Sequence, residues 1–224
     1  MNKIERLKKI TKNVNNKLIE KLQKLKYFNS TNFNKNIVTF KRFLISGEKI
    51  STDGQLALYS SKLNTLIIDE YNLNENISDE QLEILILHEY LHMASTDLEK
   101  QVIGFESEAM PITYNEALTQ WLTLKLYYGQ KNIKEAILKN KIYSESVIRI
   151  DSLIEKIGEE NIYTGFFEAD IKKNLKQIPK EFKSILLDEI LSFGNSNEEK
   201  IAKISMEKLE ERIISIKKDK NLER

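Results

Sequence analysis

Gln81-Leu82-Glu83-Ile84-Leu85-Ile86-Leu87-His88-Glu89-Tyr90-Leu91-His92-Met93-Ala94 carries apolar residues around most of a helical circumference. The segment is therefore predicted to be a helix running through the interior of a globular fold, not along its surface. Ser78, with Gln81 three residues later, has the capping-box arrangement that begins such a helix. His88 and His92 stand four residues apart, so both imidazoles leave one face a turn apart, the separation that two ligands of one tetrahedral zinc require. Glu89 projects about 100° round from His88. That places it beside a metal held by the histidines but not on it, where a carboxylate can take a proton from zinc-bound water. The chain of 224 residues has only 2 histidines. Two histidines scattered at random would fall four apart, with Glu directly after the first, on the order of one time in a thousand. The alternative, two buried histidines and a glutamate with no metal, leaves polar groups that cost roughly 1 to 3 kcal/mol each wherever they are unpaired.

Two histidines leave a zinc in need of a third protein ligand. A metzincin would have Gly three residues after the second His and His or Asp six after it, but Ser95 and Leu98 occupy those positions. Downstream, Ile112-Thr113-Tyr114-Asn115-Glu116-Ala117-Leu118-Thr119-Gln120-Trp121-Leu122 reads as an amphipathic helix with an acid in its first turn. Glu116 is the expected third ligand. It competes with a local role, because Thr113-x-x-Glu116 is also a capping box. Glu106 and Glu108 are the reserve ligands, and Asp97, only five residues after His92, is a poorer one.

His88-Glu89-Tyr90-Leu91-His92, followed by a helix opening Asn115-Glu116-Ala117-Leu118-Thr119-Gln120, resembles the gluzincins, the thermolysin-like zinc peptidases whose third ligand is a Glu on a second helix. The resemblance covers roughly residues 55 to 125. It implies an α+β, zincin-like fold: a small, mainly antiparallel sheet with an active-site helix, then a mostly helical C-terminal part. It also implies one zinc ion per chain on His88, His92 and Glu116, with Glu89 as general base. An edge strand, Leu56 to Ser60 or Thr65 to Ile68, would align an extended peptide. Where thermolysin-like members place an acid four residues after the ligand Glu, to orient a zinc histidine, this chain has Gln120, whose carbonyl can accept the same hydrogen bond with less charge. Their downstream transition-state His has no counterpart. That leaves Tyr114, Tyr143, Tyr163 or Arg149 to donate to the oxyanion. Tyr143, at the head of a helix with Arg149 on nearly the same face, is the preferred candidate.

Outward from this segment, an apolar stripe from Ile4 through Leu7, Thr11, Val14, Leu18, Leu22 and Leu25 predicts an amphipathic packing helix over about residues 2 to 28. Ile37-Val38-Thr39-Phe40, Gln55-Leu56-Ala57-Leu58-Tyr59 and Thr65-Leu66-Ile67-Ile68 read as strands of a small sheet, separated by turn-prone Ser46-Gly47, Asp53-Gly54 and Ser60-Ser61. From about Ile112 onward the spacing is helical, with breaks near Gly129, Gly158, Pro179 and Gly194. Ile201, Ile204, Leu209, Ile213 and Ile216 predict a last amphipathic helix. A single domain over 1–224 is expected, with an N-terminal helix (about 1–30), the sheet with the His-bearing helix (about 35–96) and a helical part carrying the third ligand (about 110–224).

The composition sets the remaining bounds. A 41% hydrophobic content suits a packed core, and the absence of cysteine excludes disulfides, thiolate metal sites and a cysteine nucleophile. Any metal must sit on nitrogen and oxygen. With 35 Lys and Arg against 34 Asp and Glu, the net charge of +1 creates no field that would collect nucleic acid or anionic lipid. The basic N-terminus lacks the apolar core of a signal peptide, and no stretch approaches a membrane span, so a cytoplasmic protein is expected. Two functions fit: a zinc metallopeptidase acting on a peptide or protein, or a non-catalytic, zinc-containing helical interaction module or pseudoenzyme.

Overall fold

The capping box at Ser78 forms as its spacing predicts. In the computed structural model, the Ser78 hydroxyl oxygen accepts from the Gln81 amide at 3.1 Å and the Gln81 side chain accepts from the Ser78 amide at 2.9 Å. The structure describes residues 3–25, 28, 30–46, 56–69, 77–105, 110–129, 132–139, 144–197 and 199–204.

Two helices lead the chain, α1 (Lys3–Gln23) and α2 (Ser30–Thr39). Strands β1 (Lys41–Ser46), β2 (Ala57–Ser60) and β3 (Thr65–Asp69) follow, and then α3 (Asp79–Ala94). A two-residue ribbon, β4 (Thr96–Asp97) with β5 (Val102–Ile103), precedes α4 (Ile112–Tyr128). The rest is helical: α5 (Ile133–Lys139), α6 (Ser144–Ile157), α7 (Glu160–Glu168), α8 (Ile171–Gln177) and α9 (Lys180–Gly194), with helix resuming over 199–204. The architecture is α+β, mostly helical with a small sheet. Among the described residues no helix is long and apolar enough to cross a membrane.

The first expected strand is absent. Ile37, Val38 and Thr39 are the last turn of α2, and β1 begins only at Lys41. Phe33, Asn36, Ile37 and Phe40 recur at helical spacing and turn inward, while Val38 is 82% exposed. That packed face overrides the β-propensity of the Ile-Val-Thr run. Phe40 closes the face against the rings of Tyr59 and Tyr90. The three-stranded sheet has the order β1-β3-β2, with β1 parallel and β2 antiparallel to β3. It is mixed, not mainly antiparallel, because β1 is placed by the helix before it and does not pair as a hairpin partner.

Helix α3 runs through the interior as expected, with every residue from Ile86 to Ala94 buried. Its walls are α1, α2, α4 and β2. Helix α1 supplies Leu7, Ile10, Val14, Leu18 and Leu22 to that core, and Arg6 fastens it by donating to Asp79 and to the carbonyl of Ile77, each at 2.6 Å. Helix α4 is itself packed between α3 on one side and α5, α6 and α9 on the other. Glu116 of α4 thereby comes to face the histidines of α3.

Candidate metal centre

Helix α4 owes its start to a distant residue. Pro111, in extended conformation, is the N-cap, and its carbonyl accepts from the Asn115 amide at 3.3 Å. The first amides of a helix have no partner within it. Here Glu199 supplies one: Oε1 accepts from the Ile112 amide at 3.0 Å, and Oε2 accepts from the Thr113 amide at 2.9 Å and the Thr113 hydroxyl at 2.8 Å. Thr113 and Glu116 therefore do not close a capping box. Glu116 faces α3 instead.

Four polar atoms of three residues converge there. His88 Nε2 lies 3.1 Å from Oε2 of Glu116, His92 Nε2 lies 3.2 Å from its Oε1, and the two Nε2 atoms are 3.0 Å apart. Ligands at about 2.0 to 2.1 Å from a tetrahedral zinc stand about 3.3 to 3.4 Å from one another. The three observed separations are within a few tenths of an ångström of that. Gln120 determines the sense of one ring, because Nδ1 of His88 lies 2.8 Å from Oε1 of Gln120. An amide oxygen only accepts, so Nδ1 carries a hydrogen and Nε2 is the nitrogen turned to Glu116 and His92. Two ring nitrogens and a carboxylate at this separation are held together either by shared protons or by a cation among them. His88, His92 and Glu116 thus form a buried group that can hold a metal ion. Burial works to raise the Glu116 carboxyl, but the charge and hydrogen bonds of His92 and His88 outweigh it and hold the group well below the usual carboxylate range.

Glu89 is anchored by the sheet. Its Oε2 accepts from the backbone amide of Tyr59 at 2.6 Å. The Asp69 amide donates to the Leu56 carbonyl, so residues 56, 58 and 60 turn their backbone toward β3 and residues 57 and 59 turn theirs away from it, to the outer side of β2. The edge facing the His-bearing helix is therefore β2, whereas Thr65 to Ile68 lies in the central strand. Burial pushes the Glu89 carboxyl up to about 8; His88 and the Tyr59 amide oppose the rise and Glu116 adds to it.

A second set of hydrogen bonds holds the end of α3. The His92 carbonyl accepts from the Thr96 hydroxyl at 2.6 Å and from Ser95 at 3.2 Å. Asn36 of α2, 1% exposed, donates to the carbonyls of Met93 and Thr96 at 2.7 and 2.8 Å. Asn64, at the β2–β3 turn, donates to the Asn36 carbonyl and accepts from the Tyr59 hydroxyl. This chain of bonds ties the sheet edge, α2 and His92 together.

The other expected residues lie elsewhere. Tyr114 leaves α4 roughly 200° round from Glu116 and packs between Phe105 and Phe193. Tyr163 packs against Trp121 and Phe167. Arg149 pairs with Glu189 at 2.8 Å, its guanidinium 3.9 Å from the centre of the Phe193 ring. Asp97 accepts from the amides of Glu99 and Lys100 and pairs with Lys100 in its own turn. Met93 is core. Tyr143, Glu106 and Glu108 lie outside the described residues. Glu199, Asn36 and the Tyr59 amide had no place in the sequence reading. Only Glu199 carries a local signal, since Ser196-x-x-Glu199 is a capping-box pattern.

Gln120→Ala is expected to leave the His88 ring free to turn or change tautomer, weakening metal binding by about 10- to 100-fold, as loss of an orienting partner does. Competition against a chromophoric chelator measures it. No protein-family model, no curated protein and no solved structure matches the chain.

Proposed function

We propose that this chain is a zinc-dependent metallopeptidase, with His88, His92 and Glu116 as the ligands of one zinc ion and Glu89 as the general base. The observation that carries the reading is the convergence of two imidazole Nε2 atoms and a carboxylate, with a second buried carboxylate directly after the first histidine. Two nitrogens and one oxygen, with no thiolate, are the donor set of open zinc sites that keep a position for water or substrate. Bound there, zinc would supply Lewis acidity toward a peptide carbonyl and acidify water. The side chain of Glu116 is 23% exposed, so the cluster has a route to solvent. A structural site would have no use for either that route or a spare base.

Glu89 takes the proton of the attacking water and hands it to the leaving amine. The Tyr59 amide holds one carboxylate oxygen, so the group stays aimed during transfer and pays no reorganisation. An extended peptide lies along the outer side of β2, to which Ala57 turns its backbone groups while the Tyr59 amide stays with Glu89.

One observation favours a second reading, a zinc-containing module that binds without turnover: Tyr114, Tyr163 and Arg149 all pack away from the cluster. A library of internally quenched peptides separates the two. Zinc-loaded protein is expected to cleave some members, to lose that activity on chelation and to regain it with zinc. Fully loaded protein that leaves the library intact would support the non-catalytic module.

A further inference from the structure

Thr113 is held by a residue 86 positions away, and the same atoms of Thr113 are the ones a local capping box with Glu116 would use. We infer that Glu199 is a positioning residue for the metal centre. By occupying Thr113 and Ile112, it keeps α4 wound from Ile112 and stops Thr113 from drawing the Glu116 carboxylate back to the helix start. In its metal-binding arm the inference rests on the ligand set proposed above.

Two arrangements of this helix start compete. In the structure Ile112 is the first helical residue, its amide and that of Thr113 are bound by Glu199, and Glu116 lies a turn further on, facing His88 and His92. Without Glu199, both amides and the Thr113 hydroxyl lose their partner in a place where Thr113 is only 2% exposed. Unwinding by two residues relieves this. Thr113 then becomes the N-cap, a position threonine favours, and Glu116 becomes the third residue of the helix. Its amide bonds the Thr113 hydroxyl and its carboxylate reaches back to the Thr113 amide. A carboxylate so engaged has left the histidines.

Glu199 is built for the first arrangement. It is 1% exposed, and its own amide donates to the Ser196 hydroxyl oxygen at 3.1 Å, which starts the helix over 199–204. Its carboxylate does not close that helix's box but crosses to α4, with Lys203 3.5 Å behind it. The turn after α9 brings it there, with Gly194 against Pro111. The segment that follows α9 thus controls the third ligand through one carboxylate.

The test uses the full chain, the single variants Glu199→Ala and Glu199→Gln, and the double variant Glu199→Ala/Thr113→Ala. Two measurements are read: zinc affinity, by chelator competition, and hydrogen exchange at the Asn115 amide in metal-free protein. Glu199→Ala is expected to bind zinc about tenfold more weakly, about 1.4 kcal/mol. Its Asn115 amide, no longer held by the Pro111 carbonyl, is expected to exchange about tenfold faster. Glu199→Gln keeps the shape with one acceptor oxygen and is expected to show both changes at about threefold, which covers the case of an unfolded Ala variant. The double variant is expected to regain zinc affinity to within about threefold of the parent, because Ala is a poor N-cap, while its melting temperature stays as low as that of Glu199→Ala.

A merely structural Glu199 gives the opposite, a double variant that holds zinc no better than the single one, and that result would overturn the inference. A parent that takes up no zinc would remove the proposed ligand set, and the exchange arm then decides alone. Parental exchange at Asn115 in both single variants would overturn the inference whatever the metal does.

Discussion

Glu116→Ala and His88→Ala are each expected to reduce bound zinc from about one per chain to a small fraction, measured by elemental analysis on protein purified without a metal-binding tag. Removing an orienting partner costs about 10- to 100-fold in metal affinity, and removing a ligand itself exceeds that. Two imidazoles alone, their Nε2 atoms 3.0 Å apart, leave a divalent ion one protein ligand short in a largely buried place. Folding stability follows the metal. A ligand present at about a thousand times its Kd stabilises the native state by about 4 kcal/mol, so the parent's melting temperature is expected to rise sharply with zinc and that of either variant hardly at all. Zinc retained at full occupancy in Glu116→Ala would pass the third-ligand role to Glu106 or Glu108. A parent that takes up no zinc from solution would leave His88, His92 and Glu116 as a hydrogen-bonded core cluster.

Glu89→Gln is expected to keep zinc and fold while lowering peptide hydrolysis by about 10²- to 10⁴-fold, the usual contribution of a positioned base. The amide has nearly the shape of the carboxylate, and its oxygen can accept the Tyr59 N–H bond that the structure forms at 2.6 Å. No packing need change. Because burial disfavours the charged form of Glu89, a neutral isostere at this site is expected to be stability-neutral or slightly stabilising, within about 1 kcal/mol. What is lost is the capacity to take and return a proton. Hydrolysis at the parental rate in this variant would sink the base assignment. Zinc loss would instead make Glu89 part of the metal's own support.

Local rules acting over one turn made several features legible in the sequence. Helical periodicity makes His88 and His92 neighbours, the unbroken apolar run around them requires an interior helix, and Ser78 with Gln81 marks its start. The apolar runs read as strands hold β2 and β3, at Ala57–Ser60 and Thr65–Asp69, while Gln55 lies outside the described residues. The position of Gln120, one turn after Glu116, pointed to the oxygen that meets the free nitrogen of a histidine ring. Glu116 itself was only half legible, because the same four residues encode both a ligand facing outward and a cap facing back.

Tertiary packing decided the rest. Ile37 to Thr39 has strand propensity, but its inward face is completed by Phe33, Asn36 and Phe40, so burial makes it helix. Which strand is the edge depends on β1 pairing with β3, and only that pairing leaves the Tyr59 amide for Glu89, 30 residues away. Tyr114, Tyr163 and Arg149 have the chemistry of oxyanion donors, yet neighbours from α4, α7 and α9 hold them away from the cluster. The local capping box at Glu116 does not form, because Glu199 occupies the Thr113 amide and hydroxyl. The sequence by itself determined that two imidazoles and a carboxylic acid share one interior helix, because that is a matter of 3.6 residues per turn. Only the tertiary structure decided which further groups reach them, because those bonds join residues tens of positions apart and form only when the whole core packs.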